Sequence, residues 1–280
     1  MKFDLNLSFD CLNLALQVGD DEALEMCQYL FTDVISSNTG QDREALGFKI
    51  DESGGVYNLQ KQDGSINFQF KDCWSLGIHL LNGVITSLAY ENPASVSLHA
   101  ALVSNESGSV LMPGRPNSGK TIFCCGLTAL GMNYHTDEFI SINRETLDVK
   151  AFTRPFTFRK SGYEVIKALL ESIGLKQWNS KQSDNTAWIA HREINPSFKE
   201  EIPEITAIVF PTYTTDSRNE IIPVSKARAG MEMMKSHFQS QTFADHGFST
   251  ISQLVKNTPV YLLVYNDFIK GQECFNSIFS

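Results

Sequence analysis

The sequence predicts an α/β fold in which a phosphate-binding loop sits on a mixed sheet, with a smaller α+β region ahead of it. Three observations carry this. An apolar run at residues 109–112 leads directly into Gly114-Arg115-Pro116-Asn117-Ser118-Gly119-Lys120-Thr121. A stretch without proline, 121–130, has helical character and stops at Gly131. Further on, short apolar runs at 207–210 and 260–265 are separated by a helical pattern at 225–236, as expected when helices pack on a sheet.

The elements follow in order. Residues 20–34 place Leu24, Cys27, Leu30 and Phe31 on one side of a helix, with Asp20, Asp21 and Glu22 at its start, where carboxylates favour the helix dipole. Residues 48–70 break into short strands at the Asp51-Glu52-Ser53-Gly54-Gly55 and Asp63-Gly64 turns. Residues 74–90 suit a helix, although Gly77 and Gly83 weaken it. Proline and small polar residues at 91–95 mark a boundary, dividing the chain into an α+β region, 1–92, of unknown role and a loop-bearing catalytic unit, 93–280. Residues 97–103 read as a strand and 105–108 as a turn. After the loop's helix, 132–135 is a short strand that reaches Asp137-Glu138. Residues 139–142 and 147–152 form a hairpin about Asn143-Arg144-Glu145-Thr146, and 162–173 is helical.

Composition narrows the class. The 280 residues carry a formal net charge of −9 with a pI near 5.2, which argues against nucleic acid and against an anionic membrane surface as partners. No run approaches the roughly 20 apolar residues of a membrane helix, and Met1-Lys2-Phe3-Asp4 is too polar for a signal peptide, so a cytoplasmic location is expected. Six scattered cysteines without a C-x-x-C pair argue against zinc and suit a reducing compartment. Cys124 and Cys125 are expected to pack inside the helix.

The loop fits the G-x-x-x-x-G-K-[ST] pattern in full, with the strand before it and the helix after it that the pattern requires. Gly114 and Gly119 permit backbone angles that let successive N–H groups converge on an anion, and the helix start adds its positive end. Lys120 would reach the outer phosphates and Thr121 would offer its hydroxyl to Mg²⁺. The expected ligands are therefore ATP and Mg²⁺. Asp137 comes soon after, at the end of the next strand. If that strand lies parallel and adjacent to the loop strand, Asp137 stands beside the phosphates, able to hold the metal or take a proton, with Glu138 as its partner. His99, in the strand before the loop, is a packing residue or a site residue by spacing alone. Arg154-Pro155-Phe156-Thr157-Phe158-Arg159-Lys160 is a basic cluster that faces solvent, the phosphates or an acidic substrate. Arg218, Lys226 and Arg228 read as surface charge.

With these residues in view, the segment 97–143 resembles HPr kinase/phosphorylase, and more closely the HPr-kinase-related kinases. The likeness lies in the histidine-led strand His99-Ala100-Ala101-Leu102-Val103, the loop Gly114 to Thr121, and Thr136-Asp137-Glu138. Arg154-Pro155 with Arg159-Lys160, and the strand 205–211, are similar to the related kinases as well. The resemblance implies a fold of the HPr kinase/PEP carboxykinase type. It also implies a kinase moving the γ-phosphoryl group of ATP to a hydroxyl, with Asp137 as base, Glu138 and Thr121 near the metal, Lys120 on the phosphates and His99 beside them. The chain departs from the parent family at Ile122, where that family has an acid, at Glu138, where it has aspartate, and in lacking an E-x-R-G-x-G stretch. The acceptor implied is thus a hydroxyl-bearing peptide, protein or small molecule, a serine of a peptide or protein other than HPr being foremost, and oligomers remain open. The alternative is a nucleotide-binding regulatory or assembly module without productive transfer.

Overall fold

The computed structural model describes residues 3–36, 46–114, 118–216 and 218–279. The chain is α/β with mixed sheets. Its first part runs β1 (Phe3–Phe9), β2 (Leu12–Val18), α1 (Asp21–Phe31), β3 (Leu46–Ser53), β4 (Val56–Lys61), β5 (Asn67–Phe70) and α2 (Cys73–Tyr90). The five strands form one sheet in chain order, antiparallel except for the β2–β3 pair. Strict alternation drives β1 and β2: Leu7 and Phe9, and Leu14, Leu16 and Val18, point inward.

Asp20 caps α1 by accepting from the N–H groups of Glu22 and Ala23, and Asp72 caps α2 through Ser75 N–H. The two glycines of α2 have a packing reason. A Cβ on Gly77 would lie 3.0 Å from both Leu30 and Met26 of α1, and one on Gly83 would lie 2.9 Å from the Phe48 ring of β3. The helix gives up propensity to approach both neighbours closely.

The second part runs β6 (Ser95–Asn105), β7 (Gly108–Pro113), α3 (Lys120–Ala129), β8 (Asn133–Thr136), β9 (Phe139–Asn143), β10 (Val149–Ala151), β11 (Phe156–Arg159), α4 (Lys160–Ser172), β12 (Lys181–Gln182), β13 (Thr186–Ile189), α5 (His191–Ile194), β14 (Ile205–Tyr213), β15 (Glu220–Pro223), α6 (Lys226–Met234), α7 (Phe248–Asn257), β16 (Val260–Tyr265) and α8 (Phe268–Asn276). Its large sheet has the order β10-β9-β6-β7-β14-β16-β15, with β8 also on β6. Strands β7, β14 and β16 are parallel, while β6 is antiparallel to β7. A small sheet, β11-β13-β12, stands apart.

One sequence expectation fails here. The strand after the loop's helix is β8, and it does not pair with the loop strand β7: β6 lies between them. The reason is local. A tight turn at Glu106-Ser107 folds β6 back onto β7 along their length, so that side of β7 is taken by its nearest sequence neighbour. Strand β8 pairs with the far side of β6 instead.

Aromatic rings join the two parts. Phe9 lies 5.5 Å from both Phe139 and Phe152, and Phe31 lies 6.4 Å from Phe152. Phe139, Phe152 and Trp188 belong to the same buried cluster as α1, α2 and the first sheet. If this cluster holds the two parts as one cooperative unit, Phe152→Ala lowers unfolding stability by about 3–5 kcal/mol in urea, within a single transition. Two separate transitions, only one of them shifted, would contradict the shared core.

Candidate functional site

The glycine loop leaves β7, which is buried along its whole length. Gly119 takes φ +87 and opens α3, whose first turn has no side-chain cap. A helix start of this kind presents its N–H groups and positive dipole end to whatever lies in front of it. A Cβ on Gly114 would lie 3.1 Å from Ser118 Oγ and 3.3 Å from the Lys120 stem, so those two side chains pack closely against the loop's first glycine. Lys120 is buried, and its Nζ donates to the Gly114 carbonyl at 2.8 Å and approaches Ser118 Oγ at 3.5 Å. Burial pulls its pKa down to about 8, against the opposing pull of Glu138 and Asp137. Arg115, Pro116 and Asn117 lie outside the described residues.

Asp137 and Glu138 occupy the bend between β8 and β9, both of which run along β6. Thr136 Oγ1 fixes that bend by accepting from the N–H groups of Glu138 and Phe139 while donating to the Phe152 carbonyl. Ala100 N–H donates to the Glu138 carbonyl, and Gly114 N–H donates to the His99 carbonyl. Two consecutive residues of β6 therefore hold the acid pair and the mouth of the loop together. The sequence expected adjacency between strands; the structure achieves proximity through a shared neighbour.

The acids meet an arginine. Arg154 is buried, with Nη2 3.1 Å from Asp137 Oδ1 and 2.9 Å from Glu138 Oε2, and with Nη1 donating to Thr157. Burial opposes its charge, but the two carboxylates more than compensate and hold its pKa above the ordinary value. The Tyr134 hydroxyl, 3.0 Å from both Asp137 Oδ1 and the Arg154 carbonyl, donates into the same cluster. His99 Nε2 stands 3.2 Å from Glu138 Oε1. Burial works to raise the Glu138 pKa, yet Arg154, His99 and Lys120 together hold it down at about 2.

Of the four carboxylate oxygens, three are engaged. The fourth, Asp137 Oδ2, is buried without a hydrogen-bond partner among the described residues. An orphaned buried acceptor is costly, and such atoms gather where a ligand or a proton is handled.

Beside these groups is a cavity of about 300 Å³. Thr121, Glu138, Arg154 and Arg159 form one wall. A single face of α2 also lines it, through Ile78, Leu81, Asn82 and Ile85. Asp137 is fully buried and does not itself line the cavity, whereas Glu138 is 31% exposed and does.

The structure thus gathers Gly114, Ser118, Gly119, Lys120, Thr121, His99, Asp137 and Glu138 into one region. Arg154 is not part of a solvated basic loop: it is buried as the counter-ion of both acids, and it lines the cavity together with Arg159. Sequence reasoning passed over Tyr134, whose place in a short, fully buried strand gives no sign of its bond to Asp137, and the α2 face, whose apolar spacing reads equally well as core. Among the described residues no group of three or more His, Cys, Asp or Glu side chains is placed to hold a metal by itself. No helix among them is long and apolar enough to cross a membrane. No family model matches the chain, and no curated protein matches it.

The carboxyl of Glu138 titrates near 2 in the folded chain against an ordinary 4.5. Its folded value is the lower one, so its stabilising contribution is complete above pH 4.5 and is lost as the pH falls toward 2. Urea unfolding at stepped pH should show a shallower acid loss across that window for Glu138→Gln than for the wild type. Equal slopes would show that the Arg154 contact does not hold this carboxylate.

Proposed function

We propose that the chain is an ATP- and Mg²⁺-dependent kinase that transfers the γ-phosphoryl group to a hydroxyl acceptor, with a catalytic unit of the HPr kinase-like P-loop type. The observation that carries the reading is the pairing of an uncapped, glycine-opened helix start and its buried Lys120 with an acid pair fixed to the same strand. The residues fit a nucleotide with its metal. Lys120 now donates to the loop's own carbonyl, a bond that an anion can replace. Thr121 and Glu138 line one cavity with a hydroxyl-bearing and a carboxylate side chain, and Asp137 Oδ2 has no partner among the described residues. Magnesium is commonly held by one or two carboxylates together with substrate phosphates, so the lack of an all-protein cage is no obstacle.

Lys120 and the first-turn N–H groups of α3 bind and orient the phosphates. Thr121 and Glu138 would hold the metal, which would supply neutralisation of charge on the transferring group. Arg154 keeps the two carboxylates in register, and His99 orients Glu138 from the other side. As the bond from the γ-phosphorus to its bridging oxygen breaks, the acceptor oxygen bonds to phosphorus, and its proton passes to the acid pair, Glu138 at the cavity surface and, behind it, Asp137 with its uncommitted oxygen Oδ2. Residues Ile78, Leu81 and Ile85 of α2 shield this space from water, which would otherwise compete as acceptor. A peptide or protein serine other than that of HPr is the acceptor class we favour, reached through a cavity of side-chain size.

Calorimetry tests the nucleotide site. Wild-type protein should bind ATP with Mg²⁺, and Lys120→Ala should lose that binding. Because Lys120 titrates near 8, at pH 8.5 much of it is neutral, and the arriving phosphates re-protonate it. Binding at that pH should therefore take up protons, seen as an enthalpy that varies with the ionisation heat of the buffer. Absence of binding in the wild type would defeat the reading.

A second test separates the acids. Asp137→Asn should keep ATP affinity within a few fold while γ-phosphoryl transfer, or ATP hydrolysis where no acceptor is present, falls by about 100-fold or more. Transfer that persists in Asp137→Asn but vanishes in Glu138→Gln would move the proton acceptor to Glu138. ATP binding without transfer or hydrolysis in the wild type would instead favour a regulatory nucleotide-binding module.

A further inference from the structure

We propose that the exposed ring of Tyr213 is the stacking platform for the base of the nucleotide, on the side of the phosphate loop opposite the acids. The inference rests on the phosphate-loop reading and adds to it a base subsite.

The argument begins with direction. In phosphoryl transfer the attacking and leaving oxygens lie roughly in line through the transferring phosphorus. The acceptor and the rest of the nucleotide must therefore approach from opposite sides. The acid pair, the cavity and α2 all lie on the β6 side of β7. The nucleoside is left with the other side, where β14 and then β16 follow β7 in the sheet. These three strands are parallel, so the loops after β14 and β16 emerge at the same edge as the phosphate loop. Ligands of open α/β sheets gather at that edge.

Tyr213 ends β14 and Tyr265 ends β16, paired across the sheet. A Cβ built on Gly119 would lie 3.7 Å from Tyr213 Cβ and 3.4 Å from the Tyr265 hydroxyl, so both tyrosines stand directly beside the start of α3. Their environments differ. Tyr265 is buried and packs on Phe123 of α3 at 4.9 Å. Tyr213 is 55% exposed, and its ring meets Tyr265 edge-on at 5.6 Å and 72°. One ring is thus a buried wedge that steadies the other, and the outer ring keeps exposed surface beside the loop. The connections after β14 and β16 are tied together, with Asn219 bonded to the Asn266 side chain and to the N–H groups of Asn266 and Asp267. An aromatic face presents a stacking surface to any nucleobase, so this platform favours nucleotides over bare polyphosphate without selecting one base.

The test is calorimetric titration of wild type, Tyr213→Ala and Tyr213→Phe with ATP, GTP and inorganic triphosphate, each with Mg²⁺. Tyr213 is exposed enough for both variants to fold. The expected result is a loss of about tenfold in affinity for ATP and for GTP in Tyr213→Ala, triphosphate affinity unchanged, and Tyr213→Phe within twofold of wild type throughout. Unchanged ATP affinity in Tyr213→Ala, or an equal loss for ATP and triphosphate, would overturn the base subsite while leaving the phosphate loop standing. If wild-type protein bound neither ATP nor triphosphate, the phosphate-loop reading would fail, and the base subsite with it.

Discussion

Arg154 lies buried between Asp137 and Glu138, and the shape of the site depends on that contact. Two carboxylates adjacent in sequence and sharing a bend repel each other, and each loses solvation on burial. A guanidinium can answer both at once because its donors fan out in a plane. Here a single nitrogen, Nη2, reaches both acids while Nη1 turns to Thr157. For Arg154 to arrive there, the chain after β10 must return to the acid bend, and the Thr136 bond to the Phe152 carbonyl brings it back. The formal sum of the three charges is still negative. That remainder faces buried Lys120, which is why the lysine and the acids act as one electrostatic unit.

Strand β6 turns this unit into a site. It is the longest strand in the fold, it is nearly all buried, and it carries the loop strand on one side and the acid-bearing strands on the other. Because His99 and Ala100 are consecutive, the distance between loop and acids is set by backbone geometry and not by side-chain packing. The same strand gives the site two sides: acids, cavity and α2 on one, the tyrosine-tipped parallel strands on the other. The first ninety residues also gain a place in this scheme. Their sheet and α1 share a core with Phe139 and Phe152, which positions α2 as a wall of the cavity.

What the sequence disclosed was local. The glycine loop and its flanking strand and helix are specified by neighbouring residues, so their pattern was legible without any tertiary knowledge. Asp137 and Glu138 were legible through their nearness to the loop, although the adjacency inferred for their strand was wrong, because hairpin closure between β6 and β7 took the position first. The alternation of Phe3, Leu5, Leu7 and Phe9, then Leu12, Leu14, Leu16 and Val18, is a period-two signal carried by neighbouring residues, and it matches the β1–β2 hairpin. Gly77 and Gly83 argued against α2 on propensity, and only the packing against Leu30, Met26 and Phe48 explains them. Arg154 was legible only as part of a basic cluster and Tyr134 not at all, since nothing near them in the chain indicates two acids waiting across the fold. The short strands β11, β12 and β13 exist through mutual pairing that no local pattern encodes.

The central claim is that nucleotide phosphates settle on the start of α3 between these two sides. Amide hydrogen exchange resolved along the chain, with and without ATP and Mg²⁺, addresses it most directly. The account predicts slowed exchange concentrated at residues 118–123 and at the acid bend, 136–139, with the outer strands β4 and β5 unaffected. Unchanged exchange at residues 118–123, or protection confined to another surface, would contradict it.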